Sequence, residues 1–261
     1  MKRSLWLLLS VAVCQCSLTY ASEIVIPATQ IGEGKSSVAI SYTRTDQKLL
    51  LRTSSRDQVV IGGSSYFSTV NNDLEGSGAR ATVAAKLMVN PHSGLYYWLS
   101  AGSGSFEMEI PSVTVNNRYA AQDNGFNASA GLRKILFPDT LFTPAIAVDM
   151  GVRYDAYDVA EFQSGAGARQ RISAKLELTE VQAALTVSKV LYGVEPYGGI
   201  KVFRTYTRLS DRGSFDSVSG IKDNAGLFAG ARLEIYPKEF IVVEGSLIGE
   251  TSFTAGWNVE F

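Results

Sequence analysis

Charged groups recur at alternate positions in several segments of the chain, and their types and spacing could do chemistry. Asp149, Arg153 and Asp155 share one such phase within a mostly apolar segment. Two neighbouring carboxylates could act as general acid and general base. Facing charges of both signs could instead neutralise one another, because unpaired buried charge is costly, or they could line a water-filled path and set its ion selectivity. Six further residues share this alternation and complete a candidate charge set: Lys86, Arg133, Lys201, Arg232, Glu234 and Glu244.

Histidine, the most frequent general base of enzymes, occurs once in the chain, as His92. It follows Asn90 and Pro91 and precedes Ser93, residue types that are typical of a turn. A histidine-dependent hydrolase is therefore disfavoured, and we expect a protein that is not an enzyme. No glycine-rich stretch joins a strand to a helix, and no residues have metal-ligand spacing, so we expect neither a cofactor nor a metal.

Residues 1–21 have the layout of a secretory signal peptide. A basic pair precedes an apolar run over residues 5–13, and Thr19 and Ala21 are small residues at the −3 and −1 positions of a cleavage site. The apolar run is too short to span a bilayer. We therefore expect cleavage after Ala21, followed by a short periplasmic stretch over residues 22–35.

Removal of that segment changes the composition of the mature chain. Cys14 and Cys16 are the two cysteines of the sequence, so the remainder would hold no disulfide and no cysteine metal site. Loss of Lys2 and Arg3 would leave 22 basic against 25 acidic residues, a net charge of −3. This near balance argues against nucleic acid as a partner, because proteins that bind it usually present a strongly basic face.

The C-terminal segment has the clearest periodicity. Phe253, Ala255, Trp257, Val259 and Phe261 alternate with polar or small residues, which indicates a β-strand with one apolar face. The same period of two recurs upstream, and no apolar run beyond the signal segment reaches the length of about 18 residues expected of a transmembrane helix. Strands with apolar outer and polar inner faces are typical of transmembrane β-barrels.

The predicted barrel covers residues 36–261 and has ten antiparallel strands. We expect them near residues 36–45, 77–89, 94–107, 123–136, 141–156, 170–190, 196–208, 224–236, 239–249 and 251–261. Short turns are expected near residues 90–93, 137–139, 193–195 and 237–238. Longer polar loops are expected near residues 46–76, 108–122, 157–169 and 209–223. Short periplasmic turns and long extracellular loops are typical of such barrels.

Counts of eight or twelve strands remain open for two reasons. Residues 46–76 contain apolar runs that could form another hairpin. The phase of the alternation also changes near Glu180, which could reflect a β-bulge in one long strand or two short strands. Five aromatic residues could belong to girdles at the two membrane interfaces: Tyr96, Tyr97, Trp98, Tyr197 and Trp257.

Two segments carry a family resemblance. Residues 196–201 (Pro-Tyr-Gly-Gly-Ile-Lys) and 226–230 (Gly-Leu-Phe-Ala-Gly) resemble strands of small proteins in the generic outer-membrane β-barrel group. The terminal strand, with Trp257 and Phe261, resembles the signal that the barrel assembly machinery recognises. The resemblance implies the cell outer membrane as location, with that machinery, membrane lipid and lipopolysaccharide as partners. It implies no activity, because the group is united by fold.

We therefore expect a monomeric, all-β transmembrane barrel with a charged lumen. Its function would be that of a narrow passive pore or of a structural barrel, and inward-facing Trp98, Phe203 and Phe228 could fill the lumen. A surface-binding barrel that acts through its extracellular loops is the alternative, and a barrel hydrolase comes third.

Overall fold

The fold is described by a computed structural model of the chain. It describes residues 34–61, 64–92, 94–111, 116–121, 125–164, 167–211 and 218–261. The predicted signal segment and most of the predicted periplasmic stretch lie outside the described residues. Among the described residues, no helix is long and apolar enough to cross a membrane.

The described residues form eleven antiparallel strands. The strands are β1 (Ser36–Ile61), β2 (Ser64–His92), β3 (Leu95–Pro111), β4 (Asn116–Ala121), β5 (Gly125–Phe137), β6 (Ala145–Ser164), β7 (Gln170–Ser188), β8 (Val194–Asp211), β9 (Val218–Tyr236), β10 (Glu239–Leu247) and β11 (Glu250–Glu260).

These strands close into a barrel with ten positions around its ring. Apart from β4 and β5, each strand pairs with its neighbours in sequence. The ring closes where β1 pairs with β11, from Ser37 opposite Glu260 to Gln47 opposite Glu250. β4 and β5 share one position, because both pair with β3 on one side and β6 on the other. The all-β antiparallel barrel is therefore confirmed, and its ten positions agree with the predicted count.

The two ends of the barrel differ. One end, here called the short-turn end, holds the predicted turns near residues 90–93, 137–139, 193–195 and 237–238. The first and last strands also meet there, since Phe261 N donates to Ser36 O at 2.9 Å. The opposite end, the long-hairpin end, holds the connections that were predicted to be long loops.

Much of the predicted loop over residues 46–76 is strand. β1 and β2 pair without a break from Ser36 opposite Val89 to Ile61 opposite Ser64. The alternation of apolar and polar residues continues there, with Leu49 and Leu51 buried and Arg52 exposed. The loop prediction was wrong because it assumed that apolar residues face outward along the whole length of a strand. β6 and β8 also continue into predicted loop regions, to Ser164 and Asp211.

The phase change near Glu180 is neither a bulge nor a break. β7 pairs with β8 without a shift from Ala174 to Ser188, and buried residues alternate with more exposed ones throughout. What changes is the chemistry of each face. Inward residues 174, 176 and 178 are Ala, Leu and Leu, whereas inward residues 180, 182, 186 and 188 are Glu, Gln, Thr and Ser.

This inversion divides the barrel into two zones. In the zone next to the short-turn end, the inner face is polar and the outer face carries exposed apolar side chains. They include Val38, Ile40, Tyr42, Val83, Leu87, Leu99, Met150, Val152, Val181, Leu185, Ile200, Val202, Leu227 and Trp257. In the zone at the long-hairpin end, the inner face is apolar and the outer face polar, as in soluble β-barrels.

The barrel also narrows at its long-hairpin end. β10 and β11 stop at a two-residue turn, Ile248 and Gly249, and beyond it β1 pairs with β9 at Arg52 and Ser219. Gly220 is required there, because a Cβ atom at this position would lie 1.7 Å from the carbonyl oxygen of Leu50. Within the described residues, this part of the ring consists of eight strands.

Candidate functional site: the barrel interior

Most of the candidate charge set lies inside the barrel. Seven of its nine residues are between 0% and 8% exposed: Lys86, Arg133, Asp149, Arg153, Asp155, Lys201 and Glu244. Their strands place them there because every second residue of a strand points to the same face. Arg232 is half-buried near the short-turn end, and Glu234 is exposed, two residues before β9 ends.

A central network joins β2 to β6 and β7 on the far side of the lumen. Arg80 of β2 contacts Asp155 of β6 (Nη1 to Oδ2, 3.0 Å) and Glu180 of β7 (Nη2 to Oε2, 3.5 Å). Arg153 donates to Asp155 from Nε and Nη2 over distances of 2.9 to 3.0 Å. All four side chains are at most 2% exposed. The network therefore crosses the lumen and occupies it.

A second pair lies nearer to the short-turn end. Arg133 of β5 and Asp149 of β6 are directly opposite each other and form two parallel hydrogen bonds, at 2.7 and 2.9 Å. Thr186 of β7 adds a donor to the same carboxylate at 3.4 Å. Bidentate arginine–carboxylate pairs are among the strongest polar contacts in proteins. Asp149 thus has partners on both neighbouring strands.

The opposite wall is neutralised in the same way. Lys201 of β8 forms a buried ion pair with Glu250 of β11, and Ser246 and Ser252 donate to that carboxylate at 3.3 and 3.2 Å. The Tyr197 hydroxyl donates to Glu244 at 3.0 Å. These contacts tie β8 to the final hairpin past the intervening strand β9.

Two further contacts lie towards the short-turn end. The Lys86 ammonium sits 4.3 Å from the centre of the Trp98 ring, a distance typical of a cation–π contact. Arg232 contacts Glu195 at 3.4 Å and also pairs with Glu260 of the last strand. The half-buried position of Arg232 is explained by these partners at the barrel mouth.

Sequence reasoning missed four buried members of this interior: Arg80, Glu180, Glu195 and Glu250. The signal was available for Arg80, which lies six residues before Lys86 and so has the same inward phase on β2. Glu180 lies at the phase change that was interpreted as an irregularity. Glu195 and Glu250 lie at strand beginnings, where too few residues precede them to define a phase.

Apolar clusters close the interior at two levels. At the long-hairpin end, Leu49, Phe106, Met108, Tyr157 and Leu176 belong to a core of ten buried side chains drawn from β1, β3, β6 and β7. Nearer the short-turn end, a second cluster fills the space between β2, β3, β5 and β6. Its members are Met88, Tyr96, Trp98, Ile135, Ala145 and Ala147.

Trp98 fits because two glycines make room for it. Gly131 and Gly151 are paired across β5 and β6, and a Cβ atom on either would lie 2.3 or 2.7 Å from Trp98 Cζ2. The predicted aromatic girdle is corrected accordingly. Tyr96, Trp98 and Tyr197 are at most 5% exposed in the interior, whereas Tyr97 and Trp257 face outward and are about half exposed. Phe203 and Phe228 are buried, as their inward phase predicts.

The interior is poorly arranged for catalysis. The carboxylates of Asp149 and Asp155 are held by arginines and are at most 1% exposed, so no substrate reaches them in this conformation. His92 is exposed at the end of β2, at the short-turn end. Within the described ranges, no three histidine or acidic side chains are grouped so that they could hold a metal ion.

The outer face of the long-hairpin end carries exposed ion pairs. Arg52 and Asp73 are opposite each other on β1 and β2 and make hydrogen bonds of 2.8 and 3.3 Å. The guanidinium lowers the pKa of the Asp73 carboxyl through these bonds. The Lys222 ammonium lies 2.5 Å from Glu75 and lowers the pKa of that carboxyl in the same way. This face is suited to water, in contrast to the apolar outer face next to the short-turn end.

Comparison with solved structures supports this architecture. The outer membrane protease OmpT from Escherichia coli aligns with a TM-score of 0.56 and 10% sequence identity, covering 90% of this chain and 100% of that one. The translocator domain of the autotransporter NalP from Neisseria meningitidis aligns with a TM-score of 0.47 and 12% identity, covering 88% and 89%. The chain matches no protein-family model and no curated protein sequence. The fold is that of an outer-membrane β-barrel, and this fold alone does not specify an activity.

Proposed function

We propose that the protein is an integral barrel of the cell outer membrane that is closed to solutes and has a structural rather than a catalytic role. The exposed apolar side chains next to the short-turn end form an outer band that supports a place in a bilayer, because an apolar band around the outside of a closed barrel is typical of transmembrane β-barrels. The short-turn end faces the periplasm and the long-hairpin end faces outward in this orientation. The proposed protein is a monomer. Its proposed partners are membrane lipid, lipopolysaccharide and the barrel assembly machinery, which would recognise Trp257 and Phe261.

One observation carries the choice of a closed barrel over a pore. Side chains that line a water-filled path are accessible to water, yet Arg80, Arg153, Asp155 and Glu180 are at most 2% exposed and contact one another across the lumen. These buried ion pairs stay formed, because separating them would leave uncompensated charges in the interior. The apolar core at the long-hairpin end adds a second barrier to ions.

Single-channel conductance in a planar bilayer tests this proposal. The refolded protein, shown to be folded by heat-modifiable migration on gels, is expected to give no discrete conductance steps. The matched variant is Lys201→Glu, which would change ion selectivity if Lys201 lined an open path. Steps in the unmodified protein whose ion selectivity shifts in Lys201→Glu would establish a pore and end the proposal of a closed barrel.

A surface-binding role is the second candidate, and the extension at the long-hairpin end favours it. Strands that continue beyond the apolar band and pack on their own apolar core form a rigid platform, which is a common way to present binding segments. Replacing residues 53–72 with Asn-Gly would shorten the β1–β2 hairpin and leave the barrel intact. Adhesion of cells that display the full protein, but not the shortened one, would support this role; equal adhesion by both would count against it.

A further inference from the structure

The short-turn end carries two large apolar side chains that are almost fully exposed. Leu141 and Phe142 lie in the connection between β5 and β6 and are 83% and 90% exposed. Isolated exposed apolar residues are ordinary on protein surfaces, but this pair is adjacent to a second apolar turn with Leu191 and Tyr192, which are 48% and 105% exposed. Such a concentration marks a surface that meets a partner.

The connection is held in one shape by a lysine. Lys189 forms an ion pair with Asp139 at 2.8 Å and also donates to the carbonyl oxygen of Thr140, and it lies 3.4 Å from those of Leu141 and Thr143. The backbone of Val190 donates to Asp139 at 3.3 Å. The polar atoms of the connection therefore turn towards β7, and the side chains of Leu141 and Phe142 are left to project away from it.

The position of Lys189 places this connection on the outer face of the barrel. Ser188 is buried in the interior, and Val187 faces outward and is 40% exposed, so Lys189 continues the outward phase of β7. Leu185 lies on the same outward row. The connection thus lies directly beneath the apolar band that the proposed function places in lipid.

The turn beside it is a two-residue hairpin in which Leu191 and Val194 exchange backbone hydrogen bonds of 2.7 and 3.0 Å. Its central residues, Tyr192 and Gly193, have φ values of 51° and 81°, as a tight hairpin turn requires. The Tyr192 side chain is fully exposed at the tip of this turn. An aromatic ring with a polar tip is the side chain that membrane interfaces favour.

We propose that Leu141 and Phe142 form a wedge that inserts into the periplasmic leaflet of the outer membrane and fixes the depth of the barrel rim there. This inference rests on the proposed function, because it needs the apolar band to be in a bilayer. The occupant is lipid because the wedge continues the outward apolar row of β7. Lys189 also satisfies the Asp139 carboxylate and nearby carbonyl oxygens, so the exposed part of this connection is apolar.

Tryptophan quenching in lipid vesicles tests the wedge. Phe142→Trp is made in a Trp257→Phe background of the chain without residues 1–21, so that Trp6 is absent and the buried Trp98, which is 2% exposed, supplies a constant emission. Lipids brominated near their headgroups are expected to reduce the emission of the introduced indole about as much as that of Trp257 in the unmodified chain. Aqueous iodide is expected to leave it unchanged. Should Phe142→Trp not fold, Leu141→Trp repeats the measurement.

The control is His92→Trp in the same background, because His92 lies exposed in a polar turn at the same end. Its indole is expected to respond to iodide and not to brominated lipid. If Trp257 responds to brominated lipid but the Phe142→Trp indole responds only to iodide, the wedge is refuted and the membrane barrel stands. If Trp257 itself fails to respond to brominated lipid, the proposed membrane location is wrong and the wedge falls with it.

Discussion

Removing one carboxylate from the interior should be far more damaging than removing its equivalent from the surface. Arg133 and Asp149 face inward and are at most 3% exposed by side chain, whereas Arg204 and Asp223 form the same bidentate cross-strand pair on the outer face, with side chains 52% and 66% exposed. The hydrogen bonds are alike, at 2.7 and 2.9 Å inside and 2.5 and 2.8 Å outside. Burial is therefore the main difference between the two pairs.

We predict that Asp149→Asn lowers the free energy of unfolding by about 3–5 kcal/mol, because it leaves a buried guanidinium without its counter-charge. Asp223→Asn should lower it far less, since Arg204 lies at the edge of the apolar outer face, opposite Val181, where its long side chain lets the guanidinium reach water. High salt should weaken the outer pair and leave the inner one unchanged, because buried charges are poorly screened.

The assay is a urea titration of protein folded in lipid vesicles, followed by heat-modifiable migration on gels. A double variant, Arg133→Met with Asp149→Leu, should recover most of the lost stability, because apolar residues of similar volume can replace a buried ion pair. Equal losses for Asp149→Asn and Asp223→Asn would refute the reasoning. That result would mean that water reaches Asp149, and the closed lumen would then be wrong as well.

Three further outcomes are expected. Gly220→Ala should lower the free energy of unfolding by about 1–3 kcal/mol and speed hydrogen exchange in β1, because its Cβ would overlap the backbone of that strand; Gly245→Ala, whose Cβ would have no contact closer than 3.8 Å, should be neutral. Ile248→Asn should stabilise the fold by about 1–2 kcal/mol and so raise the midpoint of urea unfolding, because Ile248 has a φ of 71° and Asn tolerates this conformation better. A lower midpoint would show that contacts of the isoleucine side chain stabilise the turn. Arg52→Gln should raise the pKa of Asp73 towards the ordinary value of about 3.9, as measured by NMR titration. The depressed pKa means that the Arg52–Asp73 contact is present above the ordinary Asp range and is lost as pH falls through the folded pKa; an unchanged titration would show that the two side chains do not interact in solution.

The sequence by itself determined the kind of barrel and the direction of most side chains. A strand alternates its faces with a period of two whatever it pairs with, so the inward positions of Lys86, Asp149 and Lys201 could be read from local pattern. The short turns could be read in the same way, because their Asn, Pro and Gly residues act through their own backbone preferences. These properties depend on residues only a few positions apart.

The tertiary structure decided where the two faces exchange their polarity. Glu180 looked irregular because apolar residues were expected to face lipid along the whole strand. In the folded barrel, β7 leaves the apolar band at this residue, and Leu176 and Leu178 pack inward on a core shared with β1, β3 and β6. The burial of an inward leucine depends on those distant strands, and no window of β7 contains that information.

Only the tertiary structure could also decide which charges meet. Arg80 contacts Asp155 and Glu180, which are 75 and 100 residues away in sequence. The closure of β1 on β11 and the register of the strands between them decide which side chains face each other across the lumen. Alternation fixes the face on which each charge lies, but closure of the ring determines which charges contact one another. Because the inward charges contact one another, they fill the interior and do not line an open pore.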